Sequence, residues 1–180
     1  MDDMLFEKTV SSKSVFDGRL LHVFEDVVQL ADGSEKTREY IHHRGAACVL
    51  PLTEENEVYL VHQFRYPFHA VLTEVPAGKV DAGETHLDAA KRELKEETGL
   101  LADEWIDLGG LYTSVAYSDE FIGLYLARGL HQDEQVPDEG EFLTVEKRPL
   151  AEVVDMVMRG EIRDPKTQLA VLKTARLLGM

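Results

Sequence analysis

The sequence predicts a mixed α/β (α+β) fold: a mixed sheet flanked by helices, with an antiparallel β-hairpin extension at its N-terminal end. Three observations predict it. Apolar runs of strand length, such as AACVLPL (46–52) and EVYLVHQF (57–64), alternate with polar turns. One capped helical stretch lies in the middle of the chain, and two more close it. Asp32-Gly33, between LLHVFEDVVQL and EKTREYIHH, is a strong hairpin signal. With 180 residues, 44% of them hydrophobic, the chain can bury the core of one ordinary domain, with or without a small appendage.

The elements follow in order. Residues 14–43 read as the hairpin. AACVLPL and EVYLVHQF come next as strands joined by the polar TEEN, and the short strand VLTEV (71–75) runs into Pro76. The central helix starts at Thr85, an N-cap with Asp88 three positions on in the manner of a capping box. Leu87, Ala89, Ala90 and Leu94 give it an apolar stripe, and Gly99 stops it. Strands are predicted near 107–113, 120–127 and 141–147. PLAEVVDMVMRG forms a helix ending at Gly160, and DPKTQLAVLKTARLLG forms the last, with Asp164 as N-cap and Pro165 at its first position.

Composition excludes several partners. The formal net charge is −15, so the chain lacks the basic footprint that nucleic acid or an anionic membrane surface requires. No apolar run approaches the roughly 18–20 residues that span a bilayer. The opening MDDMLFEKTV is acidic and has no basic flank, so no secretory signal is expected. The single cysteine, Cys48, lies in the apolar AACVLPL and reads as a core residue, which makes a reducing cytoplasm the expected compartment. A small phosphorylated ligand stays open, because a divalent cation can sit between protein carboxylates and phosphate oxygens.

The central helix raises that possibility directly. Glu93 and Glu97 are four apart and share a face, and Glu96 is three from Glu93. Like charges at this spacing destabilise an isolated helix by roughly a few tenths of a kcal/mol per pair. The bland reading is a solvated acidic face. The sharper one is a site for a hard cation such as Mg²⁺, which takes oxygen ligands from one or two carboxylates and from phosphate. Gly78 and Gly83 punctuate the loop before the helix, where the backbone can approach a ligand and offer a carbonyl oxygen.

Gly78, five residues, Glu84, seven residues, then RELKEETGL (92–100) resembles the signature box of the Nudix hydrolases, with Gly78, Glu84, Arg92, Glu93, Leu94, Glu96, Glu97, Gly99 and Leu100 all in place. The resemblance implies an α/β/α sandwich and metal-dependent attack of water on a pyrophosphate that joins a nucleoside to a second group. It implies that Glu93 and Glu97 ligate Mg²⁺ or Mn²⁺ with the Ala77 carbonyl, that Glu96 and Glu84 assist, and that Arg92 orients the carboxylates. In the ADP-ribose pyrophosphatase branch the general base is a glutamate of a late loop. HQDEQVPDEGEFLTVEKRP holds that place, with Glu139 the first candidate, Glu141 the second, and a solvated loop the alternative. The catalytic set is thus Glu139, Glu141 and Glu96.

Outside the box, the resemblance is to hydrolases of ADP-ribose and nucleoside diphosphate sugars. The hairpin over residues 1–43 is similar to that branch's dimerising extension, leaving 44–180 as the hydrolase domain and a homodimer as the expected assembly. Arg65 in VHQFRYP stands where that branch contacts phosphate; Arg38, Gly78 and Glu120 complete the expected substrate-binding set. The branch commonly has Ser-Pro-Gly about fifteen residues past the box, where this chain has Ser114-Val115-Ala116, which points to a broader nucleotide-sugar substrate range. Phe16, Tyr40, Tyr66, Phe68 and Tyr117 are candidates for stacking on a base; His42, His43 and His62 read as structural. Two alternatives stand beside this one: hydrolysis of nucleoside triphosphates or dinucleoside polyphosphates, and a Nudix-like ligand sensor without catalysis.

Overall fold

A computed structural model describes residues 4–135, 140 and 142–180. They form two compact units, one made of the chain up to Arg44 with Tyr112–Phe121, the other of Gly45–Leu111 with Ile122–Met180.

The first unit is a three-stranded antiparallel sheet, β1 (Lys8–Asp17), β2 (His22–Gln29) and β3 (Glu35–His42), with β2 in the centre. The predicted hairpin is β2–β3, paired from His22↔His42 to Gln29↔Glu35. Its turn closes through Leu30 N–H to the Ser34 carbonyl (2.8 Å), while Asp32 Oδ1 accepts from the Ser34 N–H and hydroxyl (2.9 and 2.6 Å). Gly33 takes φ 84°, the left-handed conformation for which glycine is suited. Strand β1 is not evident from the sequence: KTVSSKSVFD is exposed at every position and carries no two-residue alternation. The segment Tyr112–Phe121 is tied to β3 by Ile41 N–H to the Tyr117 carbonyl (2.8 Å) and by Asp119, whose carboxylate accepts from His43 N–H (2.7 Å) and meets His42 Nδ1 (2.6 Å).

The second unit is an α/β/α sandwich. One sheet has the order β7-β4-β9-β8, comprising β7 (Ala77–Lys79), β4 (Ala46–Pro51), β9 (Phe121–Gln132) and β8 (Leu100–Tyr112). Strand β4 pairs parallel with β9 and antiparallel with β7, so the sheet is mixed. A second, antiparallel sheet has the order β10-β5-β6, from Leu143–Pro149, Glu57–Arg65 and Ala70–Glu74. Three helices complete the unit: α1 (His86–Thr98), α2 (Leu150–Met158) and α3 (Pro165–Leu177).

Every residue of β4 is buried, and its alternation divides the core. Ala46, Cys48 and Leu50 point to one cluster, with Leu124, Leu126, Leu150, Val153 and Val171 of β9, α2 and α3. Ala47 and Val49 point to the other, with Ala89, Ala90 and Leu94 of α1. A strand covered on both faces loses its polar positions, which explains the continuous AACVLPL run. Cys48 is fully buried, and burial pushes its thiol up to about 12, as befits a core residue. Among the described residues no helix is long and apolar enough to cross a membrane.

Helix boundaries match the capping signals. Thr85 Oγ1 accepts from Asp88 N–H (3.1 Å) while Asp88 accepts from Thr85 N–H (3.3 Å), the reciprocal box predicted for α1; Gly99 ends it in the left-handed conformation. Asp164 caps α3 through Thr167 N–H (3.0 Å), with Pro165 next. The three-residue β7 is too short to leave a sequence pattern; AGK reads there as loop.

Leu94 is fully buried where α1 meets β4. Leu94→Ala is expected to lower unfolding free energy by about 2–5 kcal/mol in urea denaturation. A loss below about 0.5 kcal/mol, the size of a surface change, would mean that α1 is not seated on the sheet as described.

Candidate active site

Helix α1 carries the site on one side of its buried stripe. Glu93 and Glu97, one turn apart, are 8% and 2% exposed, an unusual condition for two like-charged side chains. The backbone before the helix receives them. Strand β7 pairs with β4 at Ala77↔Cys48 and Gly78↔Ala47, which sets these residues beneath α1. Ala77 N–H donates to Glu97 Oε2 at 3.2 Å. A Cβ on Gly78 would lie 1.8 Å from Glu93 Oε1 and 2.2 Å from its carboxyl carbon. Gly78 is therefore required because the Glu93 carboxylate lies against its Cα.

Arg92 organises the rest. Its Nη1 donates to Glu93 Oε1 (2.6 Å) and Glu96 Oε2 (2.9 Å), its Nε to Glu84 Oε1 (2.9 Å), and its Nη2 to Glu84 Oε2 (3.1 Å) and the Lys79 carbonyl (2.9 Å). Hydrogen bonds to Glu84, then to Glu93 and Glu96, outweigh burial and raise the guanidinium pKa further; the same contact holds Glu84 below the usual carboxylate range. Glu84 is fixed again by Asp81 N–H at 3.0 Å, in the turn where Gly83 adopts φ 87°. Arg92 thus offsets part of the negative charge on this face. Lys95, the other cation beside these carboxylates in sequence, pairs with Asp133 at 2.8 Å.

The donor set is chemically suited to a divalent cation. It consists of carboxylate oxygens on one helix face and a backbone segment at their foot, the hard ligands that Mg²⁺ or Mn²⁺ takes. Among the described residues no three His, Cys, Asp or Glu side chains converge on a single point as a finished coordination shell. Arg92 accounts for part of this, because it draws Glu84, Glu93 and Glu96 to itself.

Arg65, at the end of β5, meets Glu74 of β6 side by side: its Nε and Nη2 donate to Oε1 and Oε2, both at 2.7 Å. Glu74 is 2% exposed and also takes Lys166 Nζ of α3. Burial alone would raise Glu74; the hydrogen bonds from Arg65 and Lys166 and the charge of Lys166 outweigh it and hold the carboxyl at about 2. Neither Glu74 nor Lys166 stands out in the sequence. The one available signal is a lysine at the second position of a helix, where the helix dipole disfavours a cation.

The structure thus brings Ala77, Gly78, Glu93, Glu96 and Glu97 together, joined by Glu84 and Arg92. Arg38 and Glu120 belong to the first unit. There Arg38 forms a two-pronged pair with Glu7 (2.9 and 2.6 Å), and Glu120 accepts from the Thr113 hydroxyl (2.7 Å). Ser114, in place of the expected Ser-Pro-Gly, closes a turn by accepting from Tyr117 and Ser118 N–H (3.0 and 2.9 Å). Tyr66 and Phe68 are well exposed, so they are not core residues, while Tyr40 stacks on Phe24 at 5.5 Å. Glu139 and Glu141 lie outside the described residues. The approach to them is anchored at the end of α1, where Gln135 Nε2 donates to the Glu97 carbonyl (2.6 Å) and Asp133 N–H to that of Gly99 (2.7 Å).

Comparison with known proteins accords with this geometry. Residues 42–169 match the NUDIX domain, and residues 7–41 match the nucleoside diphosphate sugar hydrolase N-terminal domain. The chain is 36% identical over 173 residues to the methanol dehydrogenase activator of Bacillus methanolicus, covering 95% of this chain and 94% of that protein. It is 35% identical over 169 residues to the ADP-ribose pyrophosphatase of Bacillus subtilis, covering 93% and 91%. A crystal structure of an ADP compounds hydrolase superposes with a TM-score of 0.86 over 98% of this chain and 96% of that one, at 21% identity, which is a likeness of fold. With its box residues brought together by α1 and the segments flanking it, and most of its length matched to the domain, the chain belongs to the Nudix hydrolase family.

Proposed function

We propose that this protein hydrolyses the pyrophosphate of nucleoside diphosphate sugars, ADP-ribose among them, giving a nucleoside monophosphate and a sugar phosphate. The observation that carries the proposal is the carboxylate face of α1 seated on Gly78. It supplies a charge-dense oxygen surface that a diphosphate approaches only with a divalent cation between. The relatives named ADP-ribose pyrophosphatase and the match of residues 7–41 to a nucleoside diphosphate sugar hydrolase domain favour this substrate class over nucleoside triphosphates.

Glu93 and Glu97, with the Ala77 carbonyl, would hold Mg²⁺ or Mn²⁺. The bound cation would neutralise charge on the diphosphate oxygens and acidify a water. The protein's own groups do the remaining work. Arg92 fixes Glu84, Glu93 and Glu96 before any ligand arrives, so little reorganisation is left for the reaction itself. Arg65 spends two of its five N–H donors on Glu74 and presents the others along its outer edge, a suitable fork for phosphate oxygens. Glu96 assists the proton transfer, and Glu139, then Glu141, is the candidate base. The first unit is the candidate dimerisation element, and Arg38 and Glu120 the candidates there for substrate contact. A single buried cysteine suits work in a reducing cytoplasm.

Product analysis with Mg²⁺ against ADP-ribose, GDP-mannose, UDP-glucose, dinucleoside polyphosphates and dNTPs tests the proposal. AMP with ribose 5-phosphate, or GMP with mannose 1-phosphate, is the expected outcome; pyrophosphate released from dNTPs alone would overturn it. Gly78→Ala would drive a methyl group into Glu93. A displacement of about 1 Å at a reacting centre costs on the order of 100-fold, so kcat/KM should fall by at least that with the helix content unchanged. A variant of near wild-type rate would remove Glu93 from the site.

A further inference from the structure

The first turn of α3 holds the end of β6 at two successive residues. Lys166 Nζ donates to Glu74 and Thr167 Oγ1 accepts from Val75 N–H at 2.9 Å. Two and three residues further along the chain lie Ala77 and Gly78, the seat of Glu97 and Glu93. Asp164 completes the clamp: it caps α3 through Thr167 and pairs with Lys166 Nζ at 3.0 Å. Lys166 is 8% exposed and Thr167 is fully buried.

This is a costly place for an ammonium group. Burial removes its hydration, and the positive end of the α3 dipole opposes it. An apolar side chain would dock α3 against the sheet without that cost. What an apolar side chain could not do is fix the Glu74 carboxylate. Arg65 grips both oxygens of that carboxylate with its inner edge, so the direction of its outer edge is set by wherever Glu74 is held.

We infer that Lys166 is a positioning residue for the substrate diphosphate: it fixes Glu74, and through Glu74 it aims the outer edge of Arg65. The inference rests on the nucleotide-sugar reading above. Four charges, Arg65, Lys166, Glu74 and Asp164, balance in the intact cluster. Without the ammonium, two carboxylates share one guanidinium, and an uncompensated negative charge stands behind the group that must attract a diphosphate. Arg65 would then be both less well aimed and less attractive to phosphate. The loss should appear in substrate binding more than in the chemical step.

The test is a double-mutant cycle on the substrate that the wild-type protein turns over best. Lys166→Gln keeps the reach of the side chain and removes its charge. It is expected to raise KM about tenfold with kcat within about threefold of wild type, and to add less than about twofold to KM once Arg65→Ala is present. Lys166→Arg restores the cation and should recover most of the KM. Glu74→Asp keeps every charge but shortens the strut that both cations grip; it carries the same cycle if Lys166→Gln does not yield folded protein. A merely structural clamp predicts a KM effect that is absent or the same with and without Arg65, and either result overturns the inference; a loss of thermal stability is expected in both cases. Absence of diphosphate hydrolysis by the wild-type protein overturns the substrate reading itself, whereas turnover with additive KM effects overturns the role of Lys166 alone.

Discussion

Arg92 reaches three carboxylates and one backbone carbonyl from a single position on α1, and the placement of the acidic groups follows from that reach. Glu93, Glu96 and Glu97 are like charges on neighbouring turns, and two of them are largely removed from water. Left to themselves they would repel and seek solvent, opening the contact between α1 and β7. One guanidinium offers its donors in a rigid plane, so it offsets part of the repulsion and dictates where Glu84, Glu93 and Glu96 lie, while the Ala77 N–H holds Glu97. Lysine could supply the charge but not the fork. The arrangement gathers acidic groups on one helix face and keeps part of their charge compensated.

The second constraint is steric and comes from the sheet. Strand β4 is buried on both faces, so its register is fixed by packing, and the short β7 inherits that register. Gly78 then falls where the Glu93 carboxylate needs its missing side chain. The pair Glu74–Arg65 lies in the other sheet, at the ends of β6 and β5, where Lys166 of α3 holds Glu74. Both parts of the site thus rest on paired strands rather than on free loops. A site intended for a flexible, highly charged substrate benefits from such stiffness, because the substrate's own freedom is the larger entropic cost.

Local signals were legible in the sequence; long-range pairings were not. The Thr85–Asp88 box, Gly99, Asp164 with Pro165 and the Asp32-Gly33 turn are all encoded within a few residues, and the structure places each where its chemistry predicts. Glu93, Glu96, Glu97 and Gly78 could be grouped because helical spacing and one short loop suffice to bring them together. Strand β1 was hidden because an exposed strand has no apolar alternation, and β7 because three residues cannot show one. Lys166 and Glu74 are 92 residues apart, and neither has a local pattern that points to the other. For Gly78 the sequence points to a close approach of the backbone to a ligand, and the structure adds a second reason for glycine there, the Glu93 carboxylate against its Cα.

The proposed reaction depends on the α1 face binding a divalent cation through Glu93 and Glu97. Titration of Mn²⁺ into the substrate-free protein, followed by electron paramagnetic resonance, measures this without reference to turnover. Replacing Glu97 by the isosteric Gln removes one ligand charge and leaves the Ala77 N–H an acceptor. Loss of a ligand should weaken Mn²⁺ binding by at least about tenfold, the lower end of what even supporting residues contribute to metal sites. Equal affinity in the wild type and Glu97→Gln, with both proteins folded, would contradict the assignment and return α1 to the status of an acidic surface.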